Sequence, residues 1–157
     1  MKDHVALSDK ILDLGPPNPL SDLLSNQGYN IHNTKENIDL DLDYEIVKDE
    51  TYDIVTAFEI LEHLVSPFPL LECMKAKKLF ISVPLKLWFS NAYWSKNDPY
   101  DRHYHEFEPR QFDMLLNKAG WKIKQSEKWT SASGILGIRP LLRHFTPRYY
   151  FVYCERH

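Results

Sequence analysis

The chain has 157 residues, a formal charge of −3, 43% apolar residues and 13% aromatic residues. That supplies one folded core and is too apolar for a disordered chain. It has no basic run for nucleic acid, no apolar stretch near the ~18 residues of a membrane span, and no apolar signal segment in its opening MKDHVALSDK.

The elements follow in chain order. Lys10 to Gly15, KILDLG, is a short apolar run that ends on glycine and predicts a buried strand. In PPNPLSDLLSNQG, Asn18 suits the N-cap and Pro19 the first turn of a helix. Leu20, Leu23 and Leu24 share one face of that helix, and Gly28 suits its stop. Tyr29 to Asn33 reads as a second strand and Ile38 to Leu42 as a third. The stretch between them is shorter than the dozen or so residues of a parallel crossover, so either the two pair antiparallel or one lies outside the sheet.

YDIVTAF, Tyr52 to Phe58, is a clear strand, and EILEHLVSPF continues it as a helix or helical turn before Pro67. Pro67 to Ala76 reads as a short helix and KLFISVP, Lys78 to Pro84, as a buried strand. Residues of about 85–108 are polar and aromatic without a period, like a lid inserted into a single domain spanning 1–157. Pro109 to Gly120 is an amphipathic helix with Phe112, Leu115, Leu116 and Ala119 on one face. Trp121 to Trp129 and Tyr149 to Cys154 read as strands, with a helical turn between them near Pro140 to His144. Cys73 and Cys154 stand apart with no C-x-x-C, as in reduced thiols of a cytoplasmic protein.

Strands that alternate with helices predict an α/β fold, a mostly parallel sheet with helices on both faces. Ligands of such sheets sit beyond the carboxyl ends of the strands. Asp13 to Asn18, Phe58 to His63 and Pro84 to Glu108 all follow strand ends and are expected at one crevice. No serine-nucleophile elbow, phosphate-binding Gly-Lys-Ser/Thr loop or G-x-G-x-x-G is present.

Three segments in this order, ILDLGPPNPLSDLLSNQG, YDIVTAFEILEHL and HYHEFEPRQFDMLLNKAGWKI, resemble class I S-adenosylmethionine-dependent methyltransferases of the type 11/23 kind over nearly the whole chain. The resemblance implies a Rossmann-like core and S-adenosylmethionine as cofactor. Two departures stand out. Pro17 and Pro19 replace two of the family's loop glycines; proline brings bulk and removes an N–H that a cofactor uses. The helix between the second and third strands is missing, and the acidic residue expected at the end of the second strand has only Asn33, Thr34 and Glu36 as substitutes.

The resemblance assigns the cofactor to Asp13, Gly15, Asn18, Asp41, Leu42, Phe58 and Glu59, with Asp41 and Leu42 as the adenine-contacting pair. Asp13 either reaches the cofactor or is a buried carboxylate satisfied by loop amides. Glu59 and His63 are four apart and share a face if the segment is helical, while Glu62 points elsewhere. His63 is a candidate general base or a capping histidine, and Tyr104 and His105 are further catalytic candidates. His103 and His105, two apart, would put both rings on one face of a strand, an arrangement that suits a metal. No third ligand is fixed by the sequence, and the expectation is a substrate-facing lid without metal, or a surface loop whose aromatic residues cover the core edge. Arg139, Arg143 and Arg148 read as a solvated face. The function expected is methyl transfer to a small molecule. The alternative is a non-catalytic binding or partner module that keeps the fold and has lost the cofactor. Neither a nucleic acid nor a membrane is expected as partner.

Overall fold

Each apolar run places alternate residues on opposite faces of a sheet, and the two faces have different fillings. The computed structural model describes residues 2–35, 38–98, 101–130 and 138–157. Its strands are β1 (Lys10–Asp13), β2 (Asn30–Asn33), β3 (Ile54–Phe58), β4 (Lys78–Pro84), β5 (Trp121–Trp129) and β6 (Tyr149–Arg156). Its α-helices are α1 (Pro19–Asn26), α2 (Pro67–Cys73), α3 (Pro109–Lys118) and α4 (Ile138–Phe145). Short 3-10 turns cover Lys2–His4, Glu45–Lys48 and Leu61–His63.

The strands form one sheet in the order β2-β1-β3-β4-β6-β5. The pairs β1–β2, β1–β3 and β3–β4 are parallel, and β6 runs antiparallel to both β4 and β5. Five strands therefore share a direction and β6 alone reverses, which matches the expected mostly parallel Rossmann-like sheet. β4 lies inside the sheet, with every residue after Lys78 buried, as its unbroken apolar run requires. β5 is an edge, mostly exposed beyond Trp121, and its charged residues protect that edge from pairing with another chain.

On one face Leu12, Val55, Leu79 and Ile81 pack with Leu70 and Leu71 of α2, Phe112 and Leu116 of α3, and Trp121. Their neighbours in sequence, Ile11, Ile54 and Phe80, turn to the other face and pack with Val5 and Tyr153. Trp121 is fully buried, and its indole N–H donates to the Leu71 carbonyl at 3.0 Å. No described helix is long and apolar enough to cross a membrane.

Three expectations are corrected. Ile38–Leu42 is not a strand: Leu42 N–H donates to the Asp39 carbonyl, and the Asp39 carboxylate takes the Asp41 N–H. The alternation in IDLDL imitates a strand, but aspartate side chains bond their own backbone and favour turns. β2 is consequently an edge strand, paired with β1 alone among the described strands. On α1, Leu20 and Leu23 are exposed while Ser21 is buried. The cap at Asn18 fixes this orientation by drawing Ser21 inward. Finally, residues 103–105 are not a strand, so His103 and His105 do not share a face.

Candidate functional site

The parallel strands β1 to β4 end at one edge of the sheet, and the residues after them form the crevice. Asp13, at the end of β1, is 3% exposed. One carboxylate oxygen accepts from the Thr56 hydroxyl; the other accepts from the Asn18 amide at 2.8 Å and the Asn33 amide at 3.0 Å. The loop after β1 is thus tied to β2 and β3 through one buried anion, whose satisfaction by three donors offsets the cost of burying it.

Gly15 has φ +111°, in the region that favours glycine, and a Cβ there would stand 3.4 Å from Ile60 Cδ1. Gly15 N–H donates to the Thr34 hydroxyl at 2.8 Å. Asn18 caps α1: its side-chain oxygen accepts from the Leu20 and Ser21 N–H groups, and its own N–H donates to Ser21 Oγ. Pro16, Pro17 and Pro19 have no N–H. Every backbone N–H from Gly15 to Ser21 is therefore absent or already paired. The three prolines are themselves exposed.

Beyond β3, Phe58 is half-buried, its ring 6.2 Å from that of Phe151. Glu59 has φ +54°, a left-handed conformation that costs a side-chain-bearing residue about 1–2 kcal/mol. Two bonds to Ser82 of β4 hold it there. Its N–H donates to the Ser82 carbonyl at 3.1 Å, and its carboxylate accepts from the Ser82 hydroxyl at 2.8 Å. Burial raises the Glu59 pKa, opposed by the Ser82 bond and by Arg148. This reversal breaks helical geometry, so the expected shared face of Glu59 and His63 does not form. Glu62 is instead the acid beside His63, its Oε1 4.0 Å from His63 Nε2.

Glu62 is 1% exposed, and neither carboxylate oxygen has a hydrogen-bond partner. Burial, and then the charge of Glu59, push its pKa up to about 8. His63 Nδ1 lies 3.2 Å from the Arg102 carbonyl, and its ring meets that of His103 edge-on at 5.0 Å. His103 is held below the usual histidine pKa by burial and by His63. The backbone N–H groups of Tyr104 and His105 both donate to the Glu62 carbonyl, which docks this stretch of residues 85–108 on the Leu61–His63 turn.

The other expected residues fall at varying distances from this centre. The Tyr104 side chain is 59% exposed. His105 uses Nε2 on the Val65 carbonyl at 3.1 Å and stacks on Phe107. Both oxygens of Asp41 accept backbone N–H groups, from Val65 and Ser66, at 2.9 Å each, so Asp41 pins its turn to the start of α2. Leu42 on that turn is 81% exposed. The structure thus unites Asp13, Gly15 and Asn18 in one network and sets Glu59 beside β4. It gathers Glu62, His63 and His103 into a second cluster. Sequence reasoning passed over Glu62 and His103 as a pair with His63, and Thr56, Asn33 and Thr34 as the supports of the first loop. The side chains of Arg139 and Pro140 lie outside the described residues, as does Glu36; Arg143 and Arg148 are half-buried.

A family model described as a methyltransferase domain matches residues 6–126. No curated protein sequence matches the chain. Among solved structures, it is similar to an S-adenosylmethionine-dependent methyltransferase from Methanosarcina mazei, with TM-score 0.71 and 12% identity over 99% of this chain and 95% of that one. A second, from Mesorhizobium loti, has TM-score 0.67 and 13% identity over the same shares. A methyltransferase in complex with the Haloferax volcanii Trm112 activator has TM-score 0.67 and 12% identity over 98% of this chain and 84% of that one. Identities this low speak for the fold alone.

Proposed function

The chain belongs to the methyltransferase domain family, and on that premise we propose that it moves a methyl group from S-adenosylmethionine to a small molecule at the carboxyl ends of β1 to β4. The observation that carries this reading is the acceptor-rich crevice. The Asp13 network, the half-buried carboxylate of Glu59 and the buried carboxylate of Glu62 all stand at that edge.

This donor set fits the cofactor in one respect and reshapes its binding in another. S-adenosylmethionine carries a sulfonium and an ammonium, and the half-buried Glu59 carboxylate suits either charge, whereas Asp13 is already held by three donors. The cofactor also carries a carboxylate, for which the loop has no free N–H, so that end relies on side chains rather than on the amides a glycine loop offers.

When bound, the cofactor supplies a methyl carbon already activated by its sulfonium sulfur. In this reading Gly15 permits the close approach, while Asp13 and Asn18 shape the loop through each other. Phe58 and Glu59 line the methionine end. Asp41 holds the turn on which Leu42 offers an exposed apolar surface to the adenine. With Nδ1 facing the Arg102 carbonyl, His63 keeps Nε2 free to accept a proton from the methyl acceptor. The phenol of Tyr104 and the ring of His105 line the approach. Trp88 and Trp94, both exposed on the segment after β4, give it a surface for a small organic acceptor. The negative charge and missing basic run argue against a nucleic-acid acceptor.

One observation favours a second reading, a module that has lost the cofactor: the fully paired or absent N–H groups from Gly15 to Ser21. A thermal melt with S-adenosylhomocysteine separates the two. Saturation at 100 times the dissociation constant stabilises by about 2.7 kcal/mol, which for a chain of this size raises the Tm by roughly 5–10 °C. No shift at millimolar ligand leaves the module reading.

A further inference from the structure

The Leu61–His63 turn and the segment after β4 bring together three side chains that lie up to 41 residues apart in sequence. One ligand atom each from Glu62, His63 and His103 lie within 4.8 Å of one another. Both carboxylate oxygens of Glu62 and Nδ1 of His103 are buried with no hydrogen-bond partner. Nearly all buried polar atoms in folded proteins are satisfied, so three orphans in one cluster need a cause.

The surroundings show what kind of cause. When His63 donates its Nδ1–H to the Arg102 carbonyl, Nε2 carries a lone pair, and that lone pair stands 4.0 Å from a carboxylate oxygen. The separation is too long for a hydrogen bond, so neither the lone pair nor the buried carboxyl group finds a partner across it. A metal ion that displaces the carboxyl proton satisfies both, and His103 Nδ1 with them. We propose that Glu62, His63 and His103 bind a divalent transition-metal ion, of the zinc or manganese class, in a three-ligand site with open positions toward the crevice.

The chemistry of the donors supports the choice of ion. Two imidazoles and one carboxylate favour first-row transition-metal ions over calcium or magnesium, which prefer oxygen. Ligand atoms around a tetrahedral ion with bonds near 2.0–2.2 Å stand roughly 3.4 Å apart, against separations here of up to 4.8 Å, so the cluster needs to contract only modestly on an ion. The outer shell is in place: the Arg102 carbonyl orients His63, as carbonyls commonly orient metal-bound histidines. Arg102 is itself fixed, its Nε donating to the Ser95 carbonyl and its guanidinium 4.3 Å over the Trp94 ring. The Tyr104 and His105 N–H groups hold the backbone after His103 against Glu62. His63, 27% exposed, marks the open side of the site. His105, which the sequence pairs with His103, is engaged by Val65 and lies outside the cluster.

Metal binding here stands independently of methyl transfer. Only the role of the ion, orienting an oxygen or nitrogen donor of the acceptor in place of proton acceptance by His63, rests on the reading given above. The test uses the full chain stripped with a chelator and then titrated with Mn2+, followed by the loss of the free-ion EPR signal, and with Zn2+, followed by calorimetry. One ion per chain is expected. Glu62→Gln and His103→Asn are expected to weaken binding at least 10-fold, and His32→Asn, on exposed β2, to leave it unchanged. In the wild type, ring 15N resonances of His63 and His103 should shift on adding Zn2+ while those of His32 and His144 stay in place, a readout that needs no variant to fold. No stoichiometric binding, or binding that survives both ligand substitutions with resonances elsewhere shifting, overturns the proposal. Metal binding without a response to S-adenosylhomocysteine would instead remove the methyltransferase reading and leave the site.

Discussion

Glu62→Gln in chelator-treated protein should remove the loss of stability with rising pH that Glu62 causes in the wild type. The Glu62 pKa is pushed up to about 8 from 4.5, mainly because burial disfavours the anion. Between these values the folded chain keeps a proton that the unfolded chain has released. Stability therefore falls as pH rises through that window and levels off above about 8. Each unit of separation corresponds to about 1.36 kcal/mol, so the stability lost relative to acid pH is roughly 3 kcal/mol at pH 7 and 4–5 kcal/mol above pH 8. Glu62 is fully buried, so solvent does not screen this cost. Glutamine keeps the shape and cannot ionise; any penalty for its buried amide is the same at every pH and does not alter the slope. Urea unfolding of both proteins at pH 5, 6, 7, 8 and 9 isolates the effect, because every other titrating group is common to the pair and largely cancels. The difference in unfolding free energy should grow by about 2.5 kcal/mol in favour of the variant between pH 5 and pH 7. Parallel curves across the range would refute the reasoning and show that the carboxylate has found a partner or water in solution.

Asn18→Ala removes the α1 cap and one of three donors to Asp13, and should cost about 1–2 kcal/mol in urea unfolding. Asn18→Asp keeps the cap acceptor but sets a second carboxylate against Asp13, so it should fail to restore full stability. The Cys154 thiol is pushed up to about 12 by burial and carries little thiolate at pH 8, so Cys73, half-buried, should take up iodoacetamide first in native protein; comparable rates in a mass-spectrometric time course would contradict this.

How much of this was legible in the sequence depended on the range of the interactions. Lys78–Pro84 is the observed β4 to the residue, because an unbroken apolar run of that length is buried on both faces only as an inner strand. Pro109 and Gly120 bracket α3, and Asn18 caps α1, because caps are local bonds between residues two or three apart. Ile38–Leu42 misled because its alternation has the period of a strand, while its aspartates bond their own turn. At the site, Asp13, Gly15 and Asn18 were legible together, being one loop. The pairing of Glu62 with His63 was hidden by the left-handed turn at Glu59, which no helical wheel anticipates.

The sequence by itself determined the alternation of strands and helices, the proline-substituted loop with its cap, and which residues follow the strand ends. All of these follow from residues that are neighbours in the chain. Only the tertiary structure decided that Asp13 is shared among Asn18, Asn33 and Thr56, and that Glu62, His63 and His103 meet. Apart from Asp13–Asn18 and the adjacent Glu62 and His63, those contacts join residues twenty to forty-three positions apart, and their geometry is set by strand register and by the docking of one long segment on a short turn. No local periodicity encodes either.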